Sequence, residues 1–124
     1  MRDAKRLAQK RFADGDRLLF FVSSSCRECL SVINQLMGLL SSTQQSGVDV
    51  YIRDAHDDES VRAWANAHHI KTAWLSNQHL TLNRDEGLLQ RLERQSTVSP
   101  ADAMPIFLKR NGRFFQFNRE SLGL

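Results

Sequence analysis

Cysteine is scarce in this chain, with two residues among 124. A disulfide-stapled scaffold needs several cysteine pairs, and a self-contained zinc finger needs further ligands, so both classes are excluded. Long apolar runs are missing as well, since the longest is Leu18–Val22. A membrane-spanning helix requires roughly 20 apolar residues, so the sequence predicts no transmembrane span.

Dense clusters of one charge are also absent. The 17 basic and 14 acidic residues give a net charge of +3, and the basic residues are scattered along the chain. A nucleic-acid-binding surface usually needs clustered cations, so no nucleic-acid partner is expected. The hydrophobic and charged fractions, 41% and 25%, are those of one ordinary globular domain.

The N-terminal segment carries no recognisable export signal, because no apolar stretch follows the charged residues Met1–Lys5. This fits either a cytoplasmic protein or the mature part of an exported one. Residues 1–15 are predicted to form a short amphipathic helix or a leader ahead of the domain.

The first half of the domain has the pattern of a strand–helix–strand unit. Leu18–Val22 is a continuous apolar run, typical of a strand that is buried on both faces. Apolar residues then recur at helical spacing from Arg27 to about Gln45, and Gly47 is expected to end that helix. Apolar and polar residues alternate over Val48–Asp54, which predicts a second, parallel strand.

The second half is predicted to add helices and a hairpin. Asp57 or Asp58 can cap the next helix, and the segment 70–99 is predicted as an extended helical insertion with a short strand near Leu80. Within the segment 70–99, a capping box formed by Asn83 and Glu86 is expected to begin the main helix.

The dipeptide Asn111–Gly112 lies between two apolar runs and predicts a tight β-hairpin, because both residues tolerate positive φ. The expected fold is therefore α/β, with a mixed sheet that is covered by helices and that contains a βαβ unit and a C-terminal antiparallel hairpin. The domain is predicted to span 16–120, with 121–124 as a tail.

The two cysteines lie where the first strand is expected to give way to the first helix, in the order Cys26-Arg27-Glu28-Cys29. Backbone N–H groups and the helix dipole at a helix N-terminus favour a thiolate at Cys26, which is the reactive form of the side chain. Cys29, one turn later, is close enough to form a disulfide with Cys26. The pair can thus cycle between dithiol and disulfide, with Cys26 attacking and Cys29 resolving the mixed disulfide.

Other interpretations of the pair remain open at this point. The cysteines could be half of a zinc site, inert buried thiols or a structural disulfide. Zinc would need further ligands, and the candidates are the histidines His56, His68, His69 and His79. His68 and His69 are adjacent and would diverge on a helix, so both are predicted to be surface or helix-end residues.

A strand followed by Cys26-Arg27-Glu28-Cys29, a long helix and a second strand resembles the thioredoxin superfamily, and so does the later Met104-Pro105-Ile106-Phe107-Leu108 strand with its hairpin. The resemblance covers roughly residues 16–118. It implies that Cys26 is the nucleophile, that Cys29 is the resolving thiol and that Pro105 is a cis-proline facing them. Met104 would then pair its backbone with a bound substrate chain.

The sequence also departs from the superfamily pattern. Ser25 stands where a tryptophan often precedes the first cysteine, and Phe20 stands where thioredoxins carry a buried acid. The Arg27-Glu28 dipeptide is that of neither thioredoxins nor strong oxidases.

A narrower resemblance rests on Leu19–Ser24, Val61–Ala65 and His79–Asp85. These segments resemble a family of thioredoxin-like proteins encoded on bacterial integrating conjugative elements, which implies an accessory of a conjugative type IV secretion apparatus in the periplasm. The expected function is thiol–disulfide exchange with cysteine-containing proteins, without a cofactor beyond the Cys26–Cys29 pair. The alternative is a non-catalytic interaction module with a structural disulfide.

Overall fold

The computed structural model describes residues 12–40, 43, 45–95 and 105–117. The strands of this part of the chain are β1 (Arg17–Val22), β2 (Gly47–Ile52), β3 (Leu80–Arg84), β4 (Ile106–Arg110) and β5 (Arg113–Phe117). Its helices are α1 (Cys29–Leu39), α2 (Asp58–Ala67), α3 (Thr72–Ser76) and α4 (Leu88–Gln95).

The strands form one five-stranded mixed sheet in the order β3-β2-β1-β4-β5. β2 pairs in parallel with both β1 and β3, whereas β4 runs antiparallel to β1 and to β5. The β4–β5 turn holds Asn111 at φ 52° and Gly112 at φ 76°, the positive values that the hairpin prediction required. The predicted α/β fold, with a βαβ unit and a C-terminal antiparallel hairpin, is confirmed.

Helices cover both faces of the sheet, and β1 is buried between them. Phe20 and Val22 face α1 and α2, while Leu19 and Phe21 face α4 on the opposite side. All of β1 after Arg17 is at most 1% exposed. Because full burial of such a side chain contributes about 1.5–3 kcal/mol, β1 is the central element of the core.

Two predicted boundaries differ from the structure. Helix α1 ends at Leu39, and the Thr43 hydroxyl then donates to the Leu40 carbonyl at 2.8 Å. Such side-chain bonds compete with helix continuation, which explains the early end of α1 within a run of polar residues. Gly47 does not end the helix; it is the first residue of β2.

The helix caps are partly as expected. Asp57 caps α2 by accepting from the Ser60 N–H at 2.8 Å. Asn83, however, is part of β3, and the carboxylate that accepts backbone N–H groups before α4 is that of Asp85. The predicted Asn83–Glu86 capping box is therefore wrong.

The other predicted segments are described only in part. The segment 70–99 contains α3, β3 and α4 as far as residue 95, and β3 joins the sheet beside β2. Residues 1–11, 96–104 and 118–124 lie outside the described part. The predicted tail, 121–124, is therefore not described, and the predicted leader, 1–15, is described only at residues 12–15. Phe12, the first described residue, packs into the larger core cluster.

Asp16 ties the beginning of β1 to the end of β4. Its carboxylate is 2% exposed and accepts from the Arg110 Nε at 2.9 Å and from the Ala13 N–H at 2.8 Å. Burial raises the pKa of Asp16, but the bonds from Arg110 and Ala13 outweigh burial and hold this pKa below its usual 3.8. The ionised carboxylate therefore stabilises the folded state.

We expect Asp16→Asn to lower the free energy of unfolding by about 2–3 kcal/mol in urea denaturation at neutral pH. A carboxyl with a depressed folded-state pKa stabilises above its unfolded pKa, and the contribution is lost as the pH falls through the folded pKa. The gap between wild type and variant should therefore close below about pH 4. Glu93→Gln, at an exposed position of α4, is the matched control; equal stability of the two variants at neutral pH would contradict the prediction.

Candidate functional site

The cysteine loop connects the end of β1 to the beginning of α1. After Val22 the chain turns, and the Cys26 N–H donates to the Ser23 carbonyl at 3.2 Å. Cys29 is the first residue of α1, and Glu28 stands at its N-cap without a capping side-chain bond. Cys26 therefore lies in the turn ahead of the helix, slightly earlier than the sequence suggested.

Cys26 and Cys29 form a disulfide, with their Cα atoms 5.8 Å apart. The two cysteines differ in exposure: Cys29 is fully buried in the core, whereas Cys26 is partly exposed and packs against the border of that core. An external thiol can therefore approach Cys26, while the bulk of the protein shields Cys29.

Asp54 holds the loop from the neighbouring strand. Its carboxylate follows β2 and accepts from the Ser24 N–H at 2.8 Å and from the Ser24 hydroxyl. The hydroxyl bond and, less strongly, the backbone N–H bond outweigh partial burial and hold the pKa of Asp54 below its usual value. The Arg53 N–H donates to the Val22 carbonyl at 2.8 Å, which joins the ends of β1 and β2 at the same place.

We expect Asp54→Ala to release the Ser24 amide from this bond. The bond is solvent-exposed, so its loss should raise the hydrogen-exchange rate of that amide about fivefold, equivalent to about 1 kcal/mol. Acidification of the wild type through the lowered pKa of Asp54 should likewise lower the protection factor of the Ser24 amide, which is the exchange rate corrected for the intrinsic pH dependence of amide exchange, because protonation removes the charge-assisted acceptor. NMR-detected exchange with Glu59→Ala as a control measures both effects; unchanged protection of Ser24 in Asp54→Ala would refute the anchoring role.

His68 reaches the loop from the end of α2. Its Nε2 lies 2.9 Å from the Cys26 carbonyl oxygen and its Nδ1 lies 2.9 Å from the Trp64 carbonyl oxygen. The imidazole also stacks on the Trp64 ring, with a centroid distance of 4.3 Å. His69 is exposed and His68 is the C-cap of α2, so both agree with the prediction of surface or helix-end residues. Sequence reasoning missed that His68 is half-buried and contacts the cysteine loop.

Pro105 lies at the same edge of the sheet as the cysteine loop. It is buried, and its carbonyl accepts from the Phe21 N–H at 3.1 Å. Because β4 runs antiparallel to β1, the residue that precedes β4 comes beside the end of β1, from which the loop departs. Met104 lies outside the described residues, so the structure describes neither the predicted contact of its backbone nor the predicted cis bond between Met104 and Pro105.

Neither a family model nor a curated protein matches this chain. Among solved structures it is similar to a thioredoxin-like protein from Aeropyrum pernix, with 12% identity and a TM-score of 0.57 over 93% of this chain and 76% of that one. The chain has a thioredoxin-like fold. It is also similar to DsbF from MTB, solved in mixed oxidized and reduced forms, with 12% identity and a TM-score of 0.50 over 87% of this chain and 72% of that one.

The thioredoxin-like fold thus carries its cysteine pair after the end of the central strand β1, with Pro105 immediately before the adjacent strand β4. At this level of identity the similarity establishes the fold and not the activity, so the chemistry has to be argued from the site. Within the described ranges, no group of three or more His, Cys, Asp or Glu residues is arranged to hold a metal ion. No helix in those ranges is long and apolar enough to cross a membrane.

Proposed function

We propose that this protein exchanges disulfides with the cysteine thiols of other proteins. The observation that carries the proposal is the unequal exposure of the two bonded cysteines, with Cys26 partly exposed and Cys29 fully buried. A bond that only stabilises the fold has no need of an accessible sulfur, whereas an exchange reaction does, because the attacking thiolate has to reach one sulfur in line.

The exchange needs only the cysteine pair. A substrate thiolate attacks the Cys26 sulfur, the Cys26–Cys29 bond breaks and Cys29 leaves as a thiolate. A second substrate thiolate then attacks the mixed disulfide, and this releases Cys26 as a thiolate and an oxidised substrate. Two electrons pass from the substrate to the pair; in the reverse direction the Cys26 thiolate attacks a substrate disulfide and Cys29 resolves the intermediate.

Pro105 and Met104 are proposed to position the substrate chain. This assignment is supported by the location of Pro105 beside the end of β1, at the edge where Cys26 is partly exposed. A substrate strand bound next to the residue before Pro105 would bring its own cysteine towards Cys26. The proposed domain, 16–120, contains all of these residues.

The midpoint potential of the Cys26–Cys29 pair tests the function and its direction. The protein is equilibrated in graded glutathione buffers, alkylated and weighed by mass spectrometry. A potential near −120 mV would indicate an oxidant, about −180 mV an isomerase-like protein and about −270 mV a reductant. A pair that stays oxidised below about −300 mV would refute exchange and favour the non-catalytic module with a structural disulfide.

We further propose that the protein serves a conjugative type IV secretion apparatus in the periplasm. The support is the resemblance of Leu19–Ser24, Val61–Ala65 and His79–Asp85 to the family encoded on integrating conjugative elements. An oxidising compartment is where secreted components acquire disulfides, so an exchange protein has substrates there. Cell fractionation tests the compartment, and a resident cytoplasmic location would refute it.

The partners can be identified through the mixed disulfide. In cells that carry such an element, a Cys29→Ala variant should accumulate mixed disulfides through Cys26, because the resolving thiol is missing. Mass spectrometry of the trapped proteins then names the partners. Trapping of unrelated proteins alone would refute the link to conjugation and leave the exchange activity standing.

A further inference from the structure

His68 lies between two carbonyl oxygens. The Trp64 carbonyl lies 2.9 Å from its Nδ1 and the Cys26 carbonyl lies 2.9 Å from its Nε2. A carbonyl oxygen only accepts hydrogen bonds, so each ring nitrogen would have to donate. Either neutral tautomer carries one N–H and would point the lone pair of the other nitrogen at a carbonyl oxygen. The imidazolium carries both N–H groups and satisfies both acceptors.

The Trp64 ring favours the same protonation state. The two rings stack with a centroid distance of 4.3 Å and an interplanar angle of 26°. The face of an indole is electron-rich and attracts a cation that lies over it within about 6 Å. Two acceptors and one aromatic face thus surround the imidazole, and each of them interacts better with the imidazolium.

We propose that His68 is a positioning residue that, as an imidazolium, fixes the backbone of Cys26 and stabilises the thiolate of the reduced Cys26 side chain. The Nε2 of His68 is hydrogen-bonded to the backbone carbonyl of Cys26, the residue that carries the nucleophilic sulfur. The positive charge of the imidazolium therefore lies next to the residue whose thiol ionises. When the thiol ionises, its proton goes to solvent and the charge of His68 is unchanged. The functional relevance of this inference rests on the proposed exchange function. Its experimental test does not, because the test measures only the ionisation of Cys26.

Other charged groups near the pair are placed less favourably. Arg27 and Glu28 lie between Cys26 and Cys29 in the loop, and both are exposed. His69 and Lys71, which follow α2, are exposed as well, and the Lys71 ammonium lies over the Trp74 ring at 4.9 Å. Water and salt screen charges at exposed positions. His68 is half-buried and hydrogen-bonded to Cys26, so its charge should dominate.

The test measures the ionisation of Cys26 without any substrate protein. Cys29→Ala serves as the background, so that the thiolate absorbance and the alkylation rate report Cys26 alone. His68→Gln replaces the imidazole by a side chain that still donates but carries no charge, and His68→Phe keeps an aromatic ring on Trp64 without a donor. His69→Asn is the matched control, because His69 is exposed and its φ of 54° suits asparagine.

We expect both His68 variants to lower the acid dissociation constant of the Cys26 thiol about tenfold, while His69→Asn leaves it unchanged. A less acidic thiol is more nucleophilic once ionised, so the alkylation rate below the thiol pKa should fall only about threefold to fourfold.

A purely structural role would give a different result. If the two His68 variants lowered only the melting temperature, and the thiol ionised as in the background protein, the electrostatic role of His68 would be refuted. An equal shift in His69→Asn would refute it too. If the wild type fails to exchange disulfides while the His68 variants still shift the thiol ionisation, the proposed function fails and the inference about His68 stands.

Discussion

Replacing Cys26 by serine should abolish disulfide exchange, with the rate falling by at least about a thousandfold. A serine hydroxyl is not ionised near neutral pH, so it supplies no nucleophile and cannot form the mixed disulfide. Cys29→Ala should still attack a disulfide through Cys26 but should stop at the mixed species, because the resolving thiol is absent. Intact-protein mass spectrometry after incubation with glutathione disulfide distinguishes the two outcomes by the mass of one bound glutathione.

The comparison between the two variants contains its own control. Both lack the Cys26–Cys29 disulfide, so any effect of the lost cross-link on stability is common to them. A difference in glutathione adducts therefore reports the chemistry of the sulfur that remains. Adducts on the buried Cys29 of Cys26→Ser, or none on Cys26 of Cys29→Ala, would reverse the assignment of nucleophile and resolving thiol.

The elements that were predictable from sequence are those whose signal is local. The unbroken apolar run of β1 requires burial on both faces, and Asn111–Gly112 specifies its turn through positive φ. The cysteine spacing likewise indicates a disulfide between neighbouring turns, and the structure contains that bond. Each of these features depends on residues within a few positions of one another.

The residues that sequence reasoning missed act across the fold. Asp54 ends the predicted second strand without an assigned role, but in the structure it anchors Ser24 because parallel pairing brings the ends of β1 and β2 together. His68 is at a helix end, as one of the two predicted alternatives had it, but the packing of α2 against the sheet also places it at Cys26, which the sequence did not predict. Trp64 and His68 are four positions apart in the sequence, so they lie on the same face of a helix, and this spacing could have suggested a stacked pair. Its contact with the cysteine loop could not be foreseen without the topology.

Gly47 illustrates the same limit with a larger energetic consequence. The sequence suggested a helix end, but the structure places Gly47 in β2, opposite Arg17 of β1. A Cβ atom there would lie 2.5 Å from the Arg17 Nη1 and closer still to the His79 carbonyl oxygen. The Arg17 side chain can move, but that carbonyl is backbone and accepts from the Val48 N–H at 2.8 Å. A methyl group therefore has to disrupt the pairing between β2 and the residues that lead into β3.

We expect Gly47→Ala to lower the free energy of unfolding by about 3 kcal/mol, the upper part of the usual range for overpacking. Gly38→Ala is the control, because Gly38 is an exposed residue within α1 and a Cβ atom there would meet nothing within 4 Å. Alanine at this position should stabilise the helix by about 0.5–1 kcal/mol. Urea denaturation measures both values, and equal stabilities would contradict the close approach at Gly47. Gly47 pairs with the beginning of β1, whereas the cysteine loop follows the end of β1. The folded Gly47→Ala protein should therefore keep the wild-type midpoint potential of the Cys26–Cys29 pair.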